Sequence, residues 1–213
     1  MRHFLVALTG EKGSGKGVLA RHLAAKHGYQ VESFAAPLKR MCTHLMGWTA
    51  EQLADPVFKE AVDPRFGFAP RWFMQHLATE CIRKEFGEDI WSEALVRRIQ
   101  TQVNRAQMLL QTHGGGTPLR FVIDDLRFTN EGFYLCNLYD IEKIVIRINR
   151  GGRPTTGDAH VSEQQVYDIQ IDEELDVPWY FDQEGEAEGK ARTIGEQDLI
   201  RDFEKVLEEN GFL

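Results

Sequence analysis

The sequence of 213 residues predicts an α/β fold, a doubly wound parallel sheet of about five strands with helices on both faces and a small lid. Three observations lead to this prediction. Short apolar runs with the length of buried strands alternate with amphipathic helical segments. A glycine-rich stretch at residues 10–17 joins the first apolar run to the first helix. A later run, residues 119–123, ends in two carboxylates, Asp124 and Asp125.

The glycine-rich stretch predicts a phosphate-binding loop. Residues 4–8 are apolar, as in a fully buried parallel strand, and apolar residues recur at helical spacing from Val18 onward. Glycines between them let successive backbone N–H groups point inward at the positive end of the helix, while the Lys16 ammonium reaches the outer phosphates. This is the G-x-x-x-x-G-K part of a nucleotide-binding P-loop; a purely structural turn is the alternative. The predicted nucleotide-binding residues are Gly10, Lys12, Gly13, Ser14, Gly15, Lys16, Gly17 and Val18.

The two carboxylates after residues 119–123 predict a metal site. The carboxyl end of a parallel strand faces the P-loop, where Asp124 or Asp125 can hold Mg²⁺ or its water; an Asp-Asp pair is also a good turn. The residue after the P-loop lysine is usually Ser or Thr, whose hydroxyl binds Mg²⁺. This chain has Gly17 there, followed by Val18, so that ligand is missing.

Composition limits the classes of partner. The net charge of −8 and the pI of about 5.4 disfavour duplex nucleic acid and favour a small phosphorylated substrate. The three cysteines lack metal-site spacing and are predicted to be buried thiols in a reducing compartment. The apolar run near the N-terminus is too short for a signal peptide and no run has membrane-spanning length, so we expect a cytoplasmic protein without a membrane partner.

Residues 35–111 predict a mainly helical region. Lys39 lies in the first turn of a helix, where a cation is unfavourable unless an anion is near; a solvated face is the alternative. A long helix from residue 69 is predicted to bury Trp72 and Phe86. Its polar stripe is either solvated surface or a site for a nucleotide's phosphate and base. The stripe consists of Arg71, Gln75, Thr79, Glu80 and Arg83.

The last third of the chain predicts a lid and a closing helix. A buried strand at residues 142–148 leads into a glycine-rich loop with Arg150 and Arg153, which is either a lid over the transferring phosphoryl group or an ordinary exposed loop. Residues 166–172 predict a last short strand. Residues 173–190 predict a poorly ordered acidic insertion, and residues 193–211 an amphipathic helix.

Several short blocks occur in a characteristic order and spacing between residue 1 and about residue 175. The blocks are the P-loop, residues 34–39 (FAAPLK), residues 70–75 (PRWFMQ) with Thr79, Glu80 and Arg83, residues 89–91 (DIW), residues 125–128 (DLRF) with Asn130 and Glu131, and residues 160–163 (HVSE). In these blocks the chain resembles the phage-type deoxynucleoside monophosphate kinases, a branch of the P-loop nucleoside monophosphate kinase group.

The resemblance implies transfer of the γ-phosphoryl of ATP to a deoxynucleoside 5′-monophosphate, with Mg²⁺. It implies a single kinase domain over residues 1–213, with a monophosphate-binding region at about 35–111, a lid at about 149–162 and the insertion at about 173–190. It implies a host-cytoplasm location if the chain is phage-encoded, and a possible homodimer. The implied roles are ATP binding by Lys16 and the loop glycines, monophosphate binding by Lys39, Arg71, Gln75 and Arg83, a place between the nucleotides for Asp125 and Arg127, and a lid carrying Arg150 and Arg153.

Other functions stay open on the sequence. A related kinase acting on a hydroxymethylated pyrimidine in DNA, or on a small phosphorylated metabolite, would use the same cradle. A nucleotide-binding regulator without turnover is favoured by Gly17, because Mg²⁺ would then be held only by the phosphates, water and an aspartate.

Overall fold

A computed structural model describes residues 1–11, 13–150, 165–177 and 188–213. Within them the chain forms a five-stranded sheet whose paired strands are all parallel, as predicted. Its strands are β1 (His3–Thr9), β2 (Gln30–Glu32), β3 (Arg120–Ile123), β4 (Ile141–Arg150) and β5 (Glu173–Val177), in the spatial order β2-β3-β1-β4-β5. The central strand β1 pairs with β3 on one side and β4 on the other, so the direction of winding reverses at its carboxyl end.

The chain folds into two compact units, residues 1–33 with 96–213 and residues 34–95. The first unit contains the sheet and the helices α1 (Lys16–His27), α8 (Thr129–Cys136) and α9 (Glu188–Glu209), together with most of α7 (Ile90–His113). Its core joins the apolar side chains of β1 and β4 to those of α1 and α9, with residues such as Leu8, Leu23, Ile146 and Phe203 excluded from solvent. Burial of these side chains stabilises the strand and helix pairing around the P-loop.

The second unit is helical, as predicted for this part of the chain. Its helices are α2 (Ala36–Met46), α3 (Ala50–Ala54), α4 (Pro56–Glu60), α5 (Pro70–His76), a π-helical segment (Leu77–Arg83), α6 (Lys84–Phe86) and the start of α7. The Thr49 and Gln52 side chains form the predicted capping box on α3. A buried Trp48 donates its indole N–H to the Asp63 carboxylate at 2.7 Å, within an aromatic core.

The π-helical segment overturns part of the predicted core face. We predicted one helix that buries Trp72 and Phe86, but their exposed fractions are 54% and 74%. The Lys84 N–H donates to the Thr79 carbonyl five residues earlier, so the turn is wider than the 3.6-residue turn behind the prediction. Phe86 follows this turn and therefore lies on a different face from the one that helical spacing predicts. Trp72 precedes the turn, and its ring stacks on the exposed His76 ring one turn along α5.

The prediction for residues 166–190 was wrong in two places. Residues 166–172 were expected as a strand, but the chain forms a 3₁₀ turn at Gln165–Tyr167. The Arg147 guanidinium accounts for this difference, because it donates hydrogen bonds to the carbonyl oxygens of Val166, Tyr167 and Ile169. In a strand, these oxygens would accept hydrogen bonds from a neighbouring strand. Of the insertion expected at residues 173–190, residues 173–177 form β5, and α9 begins at Glu188, earlier than the predicted residue 193. Residues 178–187 of that insertion lie outside the described residues.

The cysteines were predicted to be buried, and the structure confirms this for Cys42 alone. Burial raises the pKa of the Cys42 thiol to about 11. Cys81 and Cys136 are exposed because each lies on the solvent side of a helical segment, and all three are free thiols. In the described ranges, no helix combines the length and the apolar character needed to cross a lipid bilayer.

Candidate functional site

The P-loop follows β1 directly, and its backbone requires glycine. Gly10 has φ +133°, and a Cβ there would lie 2.3 Å from the Ile148 carbonyl oxygen of β4. Gly15 has φ +109° and caps the amino end of α1. Both positions combine a left-handed backbone with close neighbours, so a side chain would strain the loop at either. The loop therefore places main-chain N–H groups at the positive end of α1, where anions bind.

Lys16 lies inside this loop and is 6% exposed. Its Nζ donates to the Gly10 carbonyl at 2.6 Å, to the Glu11 carbonyl at 2.7 Å and to the Ser14 hydroxyl at 3.2 Å. These three acceptors all belong to the loop, so the loop holds the positive charge within the ring of atoms predicted to surround a phosphate. An ammonium in this position supplies one positive charge next to the α1 amino end.

Asp124 lies beside the P-loop helix. β3 pairs in parallel with β1 up to the Ala7 and Ile123 positions, so both carboxyl ends meet at one edge of the sheet. A Cβ on Gly17 would lie 3.6 Å from Asp124 Oδ2. The carboxylate is therefore close to the place where the P-loops of other proteins carry a Ser or Thr hydroxyl. A hard oxygen ligand at this point fits Mg²⁺, which keeps most of its water ligands when bound to phosphates.

Asp125 has a different environment, which the sequence did not predict. The Ser33 hydroxyl, just after β2, donates to Asp125 Oδ2 at 2.6 Å. The Arg98 guanidinium in turn donates to the Ser33 carbonyl at 3.0 Å and to the Glu32 carboxylate at 3.2 Å. These bonds hold Asp125 at the sheet edge. The position of Ser33 at the end of a strand was the signal that could have identified it.

Arg127 follows within the same loop, and Glu131 fixes its backbone. Glu131 is 2% exposed, and one of its carboxylate oxygens accepts the N–H groups of Arg127 at 2.9 Å and Phe128 at 3.0 Å. A carboxylate that reaches back to the start of its own helix satisfies donors that the helix leaves open. The sequence identified Glu131 only as part of a block that carries the family resemblance; its contact assigns it a positioning role for the turn that carries Arg127.

Tyr167 connects the P-loop to the segment before β5. Its hydroxyl donates to Glu11 Oε1 at 2.6 Å, and this bond raises the pKa of Tyr167 to about 12. The Arg147 guanidinium, 5.7 Å from the centre of the Tyr167 ring, holds the backbone of the same turn. No pattern in the sequence pointed to these residues, because the contact joins positions 156 apart.

The predicted monophosphate residues all lie in the second unit. Arg71, at the start of α5, pairs through Nε with the Glu60 carboxylate, and its side chain is 28% exposed. Glu80 pairs with Lys84 one turn along, which holds the pKa of Glu80 below its usual range. Gln75 is exposed, and Thr79 and Arg83 are half-buried within the π-helical segment. Lys39 is exposed near the start of α2.

Three predicted residues lie outside the described part of the site. Lys12 of the P-loop and Arg153 of the predicted lid are not among the described residues. Arg150 ends β4, but its side chain is likewise outside the description. Their predicted roles therefore stay predictions.

Comparison with known proteins adds a relative with clear sequence similarity. The chain is 32% identical over 171 residues to a protein of Acanthamoeba polyphaga mimivirus named "Putative deoxynucleotide monophosphate kinase", and the match covers 78% of this chain and 83% of the relative. A scan against protein-family models found no match.

Three solved kinase structures can be aligned with this chain over most of its length. A sugar kinase from Janibacter sp. is 15% identical over 96% of this chain and 92% of its own, with a TM-score of 0.44. Dephospho-CoA kinase from Campylobacter jejuni is 10% identical over 97% and 98%, with a TM-score of 0.43. Shikimate kinase from Acinetobacter baumannii is 13% identical over 95% and 94%, with a TM-score of 0.39.

The relative shares enough of its length and sequence with this chain to establish the family. The glycine cradle at the end of β1 and the buried Lys16 agree with that placement. This chain is a phosphotransferase with an α/β P-loop fold and belongs to the deoxynucleotide monophosphate kinase family.

Proposed function

We propose that this protein transfers the γ-phosphoryl group of ATP to a deoxynucleoside 5′-monophosphate, giving the deoxynucleoside diphosphate and ADP. The observation that carries the proposal is the Lys16 ammonium, which is buried within the P-loop beside its glycines. The relative's name points to the same acceptor class. In the transfer, the bond from the γ-phosphorus to the bridging oxygen breaks, and a bond to an oxygen of the acceptor monophosphate forms.

The residues of the first unit would act on the triphosphate. The loop N–H groups and Lys16 would neutralise charge on the phosphate oxygens, which is the main catalytic need in phosphoryl transfer. Lys16 would exchange its bonds to the loop carbonyls for bonds to phosphate. Asp124, beside Gly17, would hold Mg²⁺ through an oxygen or through a bound water. The ion would supply Lewis-acid neutralisation of the phosphate charge.

The acceptor would be bound by basic and polar residues of the second unit. Arg71 is the strongest candidate, because its guanidinium already pairs with a carboxylate, Glu60, and phosphate offers the same forked oxygen geometry. Arg83 and Lys39 would add charge, and Gln75 would contact the base. A monophosphate is mostly a dianion at neutral pH, so the attacking oxygen needs no general base.

Asp125 and Arg127 would act between the two nucleotides. Ser33 and Glu131 would hold them in place through the bonds described above. Arg150 and Arg153 would close over the transferring group as part of a lid.

The test is an ADP-release assay with ATP and Mg²⁺ against the common deoxynucleoside and ribonucleoside monophosphates. We expect turnover with at least one deoxynucleoside monophosphate above the rate without acceptor. The Lys16→Ala variant, measured in parallel, identifies ADP from contaminating enzymes. If ATP binds and no monophosphate is phosphorylated, the proposal fails. The chain would then act on a modified pyrimidine in DNA or on a phosphorylated metabolite, or it would bind nucleotides without turnover.

A further inference from the structure

A second cluster of reactive side chains lies in the first unit, at the end of α1 opposite the P-loop. His22 and His27 lie on α1, and Glu204 lies on α9. The Nε2 atoms of the two imidazoles lie 2.8 Å and 2.7 Å from the same oxygen, Glu204 Oε1. Each of the three side chains is about one-fifth exposed, so a small ion in the surrounding water can reach them.

The geometry of this cluster suits a tetrahedral metal ion. The three potential ligand atoms all lie within 4.8 Å of one another. Zinc binds nitrogen and carboxylate oxygen at about 2.0–2.2 Å with tetrahedral angles, so its ligand atoms are roughly 3.3 Å apart. The two N–O distances would have to lengthen by about 0.5 Å, and the two imidazole nitrogens would have to reach the same spacing, for the ion to bind. Two imidazoles with one carboxylate form a ligand set that zinc proteins use, with water as the fourth ligand.

The helices on which the ligands lie are already held together. Leu19 and Leu23 of α1 and Leu199, Phe203 and Leu207 of α9 belong to one buried cluster. An ion would therefore meet a largely formed site, without the cost of ordering two separate segments.

Lys26 is the group that competes with a metal. Its Nζ lies 2.8 Å from Glu204 Oε1 and 3.1 Å from Oε2, and its side chain is 57% exposed. A mobile surface ammonium can leave Oε1 and keep its bond to Oε2, where it would hold the carboxylate from behind. Glu204 Oε1 already lies within hydrogen-bond distance of His22, Lys26 and His27, so this oxygen faces the place where an ion would bind.

We propose that His22, His27 and Glu204 bind one Zn²⁺ ion, with a water molecule as the fourth ligand. The ion bridges the P-loop helix to α9 and is separate from the Mg²⁺ that Asp124 would hold, because imidazole favours zinc whereas an all-oxygen site favours magnesium. This site does not depend on the identity of the phosphoryl acceptor. The ion would have a structural role, and loss of the site would be measured as loss of metal binding.

The experiment titrates the full chain, freed of metal by a chelator, with Zn²⁺ in competition with a chromophoric chelator and without nucleotide. We expect one tight equivalent. The variants His22→Gln, His27→Gln and Glu204→Gln each weaken it by at least about tenfold. His44→Gln, an exposed histidine of the second unit, leaves the affinity unchanged.

Two controls separate this site from other zinc-binding groups. The exposed thiols Cys81 and Cys136 are replaced by serine, and the tight equivalent is expected to persist. X-ray absorption at the zinc edge of the unmutated chain is expected to show only nitrogen and oxygen neighbours, with two imidazoles. Sulfur in that first shell, the absence of a tight equivalent, or unchanged affinity in Glu204→Gln overturns the proposal. The absorption measurement decides the matter even if a ligand variant fails to fold.

Discussion

The P-loop and the polar stripe of the second unit were both predicted from spacing, yet they depend on their surroundings to different degrees. The P-loop conformation is set by glycines within it and by the hydrogen bonds of Lys16 to residues at most six positions away. The stripe from Arg71 to Arg83 passes through a π-helical segment, and its Arg71 pairs with Glu60 from another helix. The glycines of the P-loop specify their own backbone conformation, whereas the side-chain positions of the stripe also depend on helix geometry and on partners from other helices.

The largest expected effect tests the self-contained region. Replacing Lys16 with alanine removes the buried ammonium, and we expect kcat to fall by about 10²- to 10³-fold or more. Steady-state kinetics of ADP release measure the loss. Lys205→Ala, an exposed lysine on α9, is the matched control and should keep full activity. If Lys16→Ala kept the kcat of the unmutated chain, the positive charge of Lys16 would have no part in phosphoryl transfer.

The next test addresses the second unit. Arg71→Ala removes a charged hydrogen-bond donor, so we expect KM for the monophosphate to rise about 10- to 100-fold while KM for ATP stays unchanged. Arg40→Ala, an exposed arginine of the same unit, is expected to change neither value. An equal rise in both KM values would falsify the assignment of Arg71 to the acceptor.

A third test asks whether the carboxylate at the sheet edge replaces the missing hydroxyl. Asp124→Asn should raise the Mg²⁺ concentration for half-maximal rate by about tenfold. Gly17→Ser should lower this Mg²⁺ concentration, because it restores the hydroxyl that usually binds the ion. The backbone at Gly17 is not left-handed, and a new Cβ would make only ordinary contacts, 3.4 Å to Arg21 Nη1 and 3.6 Å to Asp124 Oδ2. Magnesium titrations at fixed ATP measure both changes. An unaltered Mg²⁺ requirement in Asp124→Asn would assign the ion to other groups.

The smallest expected effect concerns stability and pH in the first unit. The folded pKa of Glu204 is about 2, below its unfolded value near 4.5, so its contribution to stability is fully present above about pH 4.5 and is lost as the pH falls toward 2. After allowance for solvent screening, we expect Glu204→Gln to cost on the order of 1–2 kcal/mol at pH 7. Denaturant unfolding in metal-free buffer at several pH values measures this.

The matched control for that test is Glu208→Gln, an exposed glutamate on the same helix. Its stability should follow that of the unmutated chain at every pH. The deficit of Glu204→Gln should shrink on acidification; a constant deficit between pH 7 and pH 2.5 would mean that packing, and not ionisation, is responsible.

Predictions from sequence succeeded where local spacing and burial agree. The strands β1, β3 and β4, the P-loop and the capping box of α3 follow from apolar runs, glycines and a Thr-x-x-Gln pattern within a few residues. The strand predicted at residues 166–172 failed because Arg147, about twenty residues earlier, captures its carbonyls. The predicted burial of Phe86 failed because the five-residue turn before it is not visible in side-chain periodicity.

By itself, the sequence determined the parallel α/β sheet, the phosphate cradle and the carboxylates that follow β3. Short apolar runs encode buried parallel strands, glycines alone readily adopt the left-handed backbone of the cradle, and the carboxylates lie next to a strand end in the chain. Tertiary structure alone decided which carboxylate lies beside Gly17, that Ser33 binds Asp125, and that two histidines of α1 meet Glu204 of α9. Ser33 and Asp125 are 92 positions apart in the sequence, and His22 and Glu204 are 182 positions apart. Only the packing of strands and helices brings such distant residues together.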